Sequence, residues 1–210
     1  MAVITPTITT NNPHEYREQM ERIATFAEGV HIDFADGQFA PTMLLALDQA
    51  WRSDDLITHA HIMYQNPLEH IEEIMHLEAD MVILHLEADD VAECLEILQE
   101  HGTRTGIALL PETNVSELKE MAIDELFDHV LLFGGSLGHQ GGAADLSVIK
   151  KVQKLRSDYP DIEIGWDGGV NEENIAEIVN AGVDIVNVGS YLKQAEDPKK
   201  AYAKLRSLLS

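Results

Sequence analysis

The sequence predicts one (β/α)8 barrel spanning residues 1–210, on three observations. Short runs rich in β-branched residues alternate with stretches of helical spacing, and the alternation repeats eight times. No linker, low-complexity stretch or compositional break interrupts it, and 210 residues is a normal length for such a barrel. A doubly wound open sheet would usually need fewer units and would carry a GxGxxG turn after its first strand, which is absent here.

The elements follow in order. Residues 3–8 make the first strand, and Asn12-Pro13 opens a helix to about residue 27, with Pro near the first helical position, where its missing N–H does no harm. A strand over 30–35, a helix near 42–51 and a strand over 56–63 come next. Asn66-Pro67 starts a helix in which Leu68, Ile71, Ile74 and Met75 recur at helical spacing. Residues 81–86 form a strand, and 89–101 a helix closed by Gly102. The pattern then predicts strands over 105–110, 130–133, 162–166 and 185–188, with helices over 116–122, 144–157, 171–180 and 197–209.

Composition narrows the function classes. A hydrophobic fraction of 45% fits an ordered globular chain. No apolar run approaches the ~20 residues of a membrane span, and no basic start followed by an apolar block suggests a leader. A lone Cys94 excludes an internal disulfide, fits a reducing cytoplasm and reads as packing within a helix. Acidic residues number 37 against 14 basic ones, for a formal net charge of −23. Such a surface repels nucleic acid and anionic membranes, so neither is expected as a partner. An anionic metabolite would need local binding devices rather than the global field.

In a parallel barrel both faces of every strand are buried, so strands should read as nearly continuous apolar runs. The polar exceptions are therefore informative: Thr5 and Thr7, His31 and Asp33, His59 and His61, His85, Asp167, and Asn187. Several lie near the C-terminal ends of their strands, the rim where barrel active sites are built. His31, Asp33, His61 and Asp167 offer two imidazoles and two carboxylates, a nitrogen and oxygen set suited to Zn²⁺, Fe²⁺, Mn²⁺ or Co²⁺, and the spacing does not choose among them. A hydrogen-bonded polar cluster without chemistry is the competing reading for each residue alone, and it weakens when four converge.

Glycines supply a second group: Gly134, Gly135, Gly138, Gly141 and Gly142 after the sixth strand, Gly168 and Gly169 after the seventh, and Gly189-Ser190 at the end of the eighth. Glycine lets backbone N–H groups approach an anion closely, and the last two loops of such barrels commonly hold phosphate. Met20, Met43, Met75, Met81 and Met121 fall in apolar patterns and read as core. His14, His70, His76, His101 and His129 lie outside the strand-end set and receive no role; His139 reads as loop surface with an option on phosphate.

Taken together, the motifs resemble the ribulose-phosphate 3-epimerase family. His31-Ile-Asp33-Phe-Ala-Asp36-Gly37-Gln-Phe39-Ala-Pro41 is similar to that family's H-[IV]-D-V-M-D-G-x-F-V-P motif. The likeness runs in register from Thr5-Pro6-Thr7 through His61-Ile-Met63, Asn66-Pro67, His85-Leu-Glu87-Ala88 and Gly106-Ile-Ala108-Leu109 to Asp167-Gly168-Gly169-Val170-Asn171 and Gly189-Ser190. The resemblance implies an isomerase acting on C3 of a phosphorylated ketose, D-ribulose 5-phosphate to D-xylulose 5-phosphate. Asp33 and Asp167 would be its acid/base pair, and His31, Asp33, His61 and Asp167 its divalent-metal ligands, with no nucleotide cofactor. Thr7, His61 and Met63 would contact substrate, together with the phosphate loop Gly138, His139, Gln140, Gly141 and Gly142 and with Gly168, Gly169, Gly189 and Ser190. A homo-oligomer is also implied.

The sequence departs from the family at Ala35, where a second active-site Met is usual, at His59, at residues 110–114, and in the phosphate loop 136–142. These departures leave related sugar phosphates open as substrates. A lyase or decarboxylase on the same barrel is a rival reading, although residues 31–36 lack the Lys of a D-x-K-x-x-D strand. A sugar-phosphate-binding relative without catalysis is another. The acidity itself reads as a solvated surface suited to a salty interior. Added salt should screen the self-repulsion and raise the thermal midpoint, which differential scanning calorimetry across a KCl series measures; a flat or falling midpoint would remove that reading.

Overall fold

The computed structural model describes residues 2–120, 125–135 and 141–209. Its strands are β1 (Val3–Ile8), β2 (Gly29–Ala35), β3 (Ile57–Met63), β4 (Met81–His85), β5 (Arg104–Leu109), β6 (His129–Phe133), β7 (Glu163–Asp167) and β8 (Ile185–Val188). Each pairs in parallel with the next, and β8 pairs back to β1, so the eight strands close into the expected barrel. Its helices are α1 (Pro13–Ile23), α2 (Ile71–His76), α3 (Val91–Glu100), α4 (Glu117–Glu120), α5 (Ile149–Asp158), α6 (Ile175–Asn180), α7 (Ser190–Lys193) and α8 (Pro198–Ser207). Among the described residues no helix is long and apolar enough to cross a membrane.

Side-chain alternation divides the core. On β2, Val30, Ile32 and Phe34 join the large layer between strands and helices, while His31 and Asp33 take the alternate face. Met81, Ile83, Ala108 and Leu131 form a separate small cluster that fills the middle of the barrel. On α1, Tyr16, Met20 and Ile23 pack inward, and the Asn12 side chain accepts hydrogen bonds from the backbone N–H of His14 and Glu15. Gly102, at φ +88°, ends α3 as expected, with its own N–H donated to Gln99 O and that of Thr103 to Leu98 O.

Two expectations fail in the loop after β2. Residues 42–51 do not form a helix; only a 3₁₀ turn, Leu47–Gln49, is present. Their backbone is engaged elsewhere, because Leu44 N–H donates to Ala35 O, Leu45 N–H donates to Thr10 O, and Met43 bridges to Asp36. Asp36 sets this loop: its Oδ1 accepts from the N–H groups of Gln38 and Phe39, and its Oδ2 accepts from Gln65 N–H. Met43 is consequently 66% exposed and is not core. The helix expected from residue 66 begins as a 3₁₀ turn, Pro67–His70, and becomes α2 only at Ile71. Met121 lies outside the described residues.

The N-terminal end of the barrel carries its own polar layer. His129 is buried, not peripheral, and its Nδ1 lies 2.9 Å from Glu163 Oε1. Arg104 donates to the same oxygen at 2.9 Å and to both oxygens of Asp128 at 2.8 and 3.0 Å. Burial pushes the Glu163 carboxyl up, but His129 and Arg104 outweigh it and hold the pKa down at about 2. A depressed carboxyl stabilises the fold above its ordinary value near 4.5 and loses that contribution as pH falls towards about 2. Glu163→Gln should therefore cost about 1–2 kcal/mol at neutral pH, discounted for partial exposure. Urea melts should show the gap to the unsubstituted protein closing below pH 4.5, and a gap independent of pH would contradict the assignment.

Candidate metal centre and active site

The rim site is assembled by register. Asp33 lies opposite His61 across the β2–β3 pair, and Thr7 lies opposite His31 across β1–β2. Across β1 and β8, Asp167 is the last residue of β7 and pairs with Asn187 of β8. Closure of the barrel through β8 and β1 then brings the ends of β2 and β7 to the same C-terminal mouth. His31, Asp33, His61 and Asp167 each offer one ligand atom, and these atoms lie within 4.8 Å of one another. All four side chains are buried. The four residues picked from the sequence as one cluster are thus brought together.

Their contacts are specific. His61 Nδ1 lies 3.0 Å from Asp33 Oδ1, and His31 Nε2 lies 3.3 Å from Asp33 Oδ1 and 3.5 Å from Asp167 Oδ2. That Nε2 is fully buried and has no hydrogen-bond partner, so a ring nitrogen with nothing to bind is directed between two carboxylates. The other end of the ring is held by the Asn187 amide, 3.1 Å from Nδ1. An orphaned imidazole nitrogen, a second imidazole and two carboxylate oxygens around one point are a donor set that fits a divalent cation.

The electrostatics of the two aspartates diverge. Burial raises both carboxyls, but the His31 and His61 imidazoles beside Asp33 outweigh it there and hold that group below the usual carboxylate range. Asp167 is pushed well above that range by burial and then by the Asp33 charge. Burial likewise keeps the His31 imidazole below its ordinary value. Two buried carboxylates this close do not both ionise readily unless positive charge joins them.

An outer ring supports the centre. His61 Nε2 lies 2.9 Å from His85 Nε2, and His85 Nδ1 lies 3.3 Å from Glu87 Oε2. Glu87 Oε1 in turn accepts from Leu110 N–H at 2.9 Å and from the Thr113 hydroxyl. Burial pushes His85 down to about 4 and raises Glu87, where the bonds from His85, Thr113 and Leu110 reverse the effect and hold the carboxyl below its ordinary value. Sequence reasoning missed Thr9, whose hydroxyl donates to Asp33 Oδ2 at 2.6 Å. The signal was present in Thr5-Pro-Thr7-Ile-Thr9, in which three hydroxyls recur at period two.

A cavity opens above the aspartates. Thr7, Met63, Gly141, Gly168, Gly169, Gly189 and Ser190 line it with Asp33 and Asp167. Thr9 and Phe133 join them, as does Asn187, which stood out in the sequence as a polar strand residue. Thr7 Oγ1 is buried there without a partner. Gly142 is exposed, and Gly138, His139 and Gln140 lie outside the described residues. Gly168 and Gly169 have φ of +107° and +68°, and an added Cβ would run into the backbone of Gly135 and of Ala144 respectively.

The sequence model of the ribulose-phosphate 3 epimerase family matches residues 3–193. The chain belongs to this family. A ribulose-phosphate 3-epimerase of Aquifex aeolicus is 30% identical over 191 residues, covering 87% of this chain and 85% of that protein. One from Bacillus subtilis is 30% identical over 189 residues, covering 86% of each. Family membership bears out the reading of the chain as an isomerase. Among solved structures, a 3-hexulose-6-phosphate synthase superposes with a TM-score of 0.72 over 99% of this chain and 100% of its own, at 18% identity, a likeness of fold alone.

The glycine geometry carries a direct check. Gly168→Ala should destabilise the protein by about 3 kcal/mol, since a Cβ there meets backbone at a φ that L side chains rarely adopt. Chemical denaturation measures it, and a cost under about 0.5 kcal/mol would mean that the β7 loop can shift freely.

Proposed function

We propose that this protein interconverts D-ribulose 5-phosphate and D-xylulose 5-phosphate by moving the C3 proton through Asp33 and Asp167. The observation that carries the reading is the pair of buried carboxylates, one from β2 and one from β7, facing a common centre beneath a glycine-lined cavity. Family membership supports the reaction type. Epimerisation needs a base on one face of the carbon and an acid on the other, and carboxylates from two separate strands, β2 and β7, supply the two faces.

In one direction one aspartate takes the C3 proton, the substrate passes through an enediolate, and the opposite aspartate returns a proton to the other face; the reverse reaction exchanges the roles. The divergent electrostatics suit this division, with Asp33 favouring its ionised form and Asp167 its protonated one. Thr9 holds Asp33 Oδ2 in a fixed orientation during the transfer. A carboxylate is a weak base for a carbon acid, so a divalent ion (Zn, Fe, Mn or Co) held by His31, Asp33, His61 and Asp167 would supply Lewis acidity of several kcal/mol, roughly, at the ketone. The substrate phosphate sits against the backbone of Gly168, Gly169, Gly189 and Ser190. No nucleotide takes part.

Family membership further supports a homo-oligomer working in pentose phosphate metabolism. A relative from Oryza sativa, 24% identical, bears the name of a cytoplasmic isoform, which supports a cytoplasmic setting. Residues 31–36 contain no Lys, which disfavours decarboxylase chemistry on this barrel.

Asp33→Asn and Asp167→Asn should each lower turnover by about 10³-fold or more while leaving the circular dichroism melt in place. A coupled xylulose 5-phosphate assay and deuterium exchange at C3 read the effect. Unchanged C3 exchange in either variant would contradict the role given to that aspartate.

A further inference from the structure

We infer that Glu87, acting through His85, is a positioning residue that holds His61 in the tautomer whose Nδ1 lone pair faces the ion site. The inference rests on the metal-centred reading proposed above. It follows from proton counting along one buried chain of contacts. Glu87 Oε1 is occupied by two donors, Leu110 N–H and the Thr113 hydroxyl, so the orientation of the carboxylate is fixed. Its Oε2 can only accept, and the atom it meets is His85 Nδ1 at 3.3 Å. His85 therefore carries its proton on Nδ1 and presents a lone pair at Nε2.

The next contact joins two nitrogens. His85 Nε2 and His61 Nε2 are 2.9 Å apart in a fully buried setting, and a contact of that kind needs one proton between them. With the His85 lone pair committed, the proton belongs to His61 Nε2. The remaining nitrogen, His61 Nδ1, then bears a lone pair 3.0 Å from Asp33 Oδ1. Two lone pairs this close in a buried site repel each other, and a cation between them turns the repulsion into coordination. Glu87 never touches the ion site, yet its acceptor character sets which His61 nitrogen is free to ligate.

Glu87→Gln tests this because it changes almost no volume. Leu110 N–H still requires an acceptor at the inner position, so the amide oxygen stays there and the amide NH₂ turns towards His85. It then donates to Nδ1, His85 becomes protonated on Nε2 and donates to His61 Nε2, and His61 moves its proton to Nδ1, where it blocks coordination. Zn²⁺ affinity, measured by competition with a chromogenic chelator, should fall about 10–100-fold. Long-range ¹H–¹⁵N spectra of the histidine rings should show both tautomers exchanged.

His85→Gln provides the contrast. Its side-chain amide can present oxygen to His61 Nε2–H, so Zn²⁺ affinity should stay within about threefold although this residue is nearer the ion. A role of Glu87 in packing alone would give the opposite ranking and leave the tautomers unchanged. Should Glu87→Gln fail to fold, the ring spectra of the unsubstituted protein decide: His61 protonated on Nδ1 in the Zn²⁺-loaded state overturns the inference. If that protein binds none of Zn²⁺, Fe²⁺, Mn²⁺ or Co²⁺, the functional reading falls and the inference with it. If it binds Zn²⁺ and Glu87→Gln binds equally well, the inference alone fails.

Discussion

The rest of this molecule depends on two carboxylates, 134 positions apart in sequence, held together under almost complete burial. Asp33 and Asp167 approach one another because β2 and β7, with β8 and β1 between them, turn both residues into the mouth of one closed cylinder. Their mutual repulsion, added to the cost of desolvation, would break an unpaired arrangement. The pairing is instead arranged residue by residue. His31 and His61 flank Asp33, Thr9 fastens its second oxygen, and Asp167 is left as the member that resists ionisation. Barrel closure, parallel register and the polar strand positions are therefore one requirement viewed at three scales.

Comparison of the two barrel ends shows why only one is built for chemistry. Both carry buried imidazoles and acidic groups, separated by the apolar plug of Met81, Ile83, Ala108 and Leu131. At the N-terminal end, Glu163 is shared by His129 and Arg104, and Arg104 is shared by Asp128 and Glu163. Charges there are balanced by side chains of opposite sign, which holds the strand starts in place. Among the described residues no Lys or Arg lines the rim cavity, so positive charge for the two carboxylates has to come from a bound cation. Among the described residues, His31, Asp33, His61 and Asp167 are also the one group of three or more ligating side chains close enough to share an ion.

The sequence made the barrel legible because strand periodicity and burial on both faces turn every polar strand residue into an anomaly. His31, Asp33, His61 and Asp167 were readable for that reason. Residues whose partners are set by loops were not. Asp36 gives its oxygens to three backbone N–H groups, one of them on the far side of β3, and that pattern cancels a helix that local composition over 42–51 favours. Glu87 was visible as part of a motif, but its orientation depends on Leu110 and Thr113, which belong to a different loop. His129 was passed over because a histidine at the start of a strand carries no periodic mark.

Charge poses a last question for the proposed chemistry, since a chain of net charge −23 has to receive an anionic sugar phosphate. Long-range steering works against it, but that field decays over about 8–10 Å at physiological salt, so it affects encounter more than grip. Close to the site, the lining supplies backbone rather than cations. Gly168 and Gly169 take left-handed conformations with Gly135 and Ala144 packed against the very places where side chains would stand. Backbone this tightly packed leaves no room for side chains at that wall, and backbone dipoles held rigidly need little reorganisation to receive an anion. An acidic surface and the proposed phosphate site are compatible because the first acts over distances at which salt screens it and the second would act only at contact.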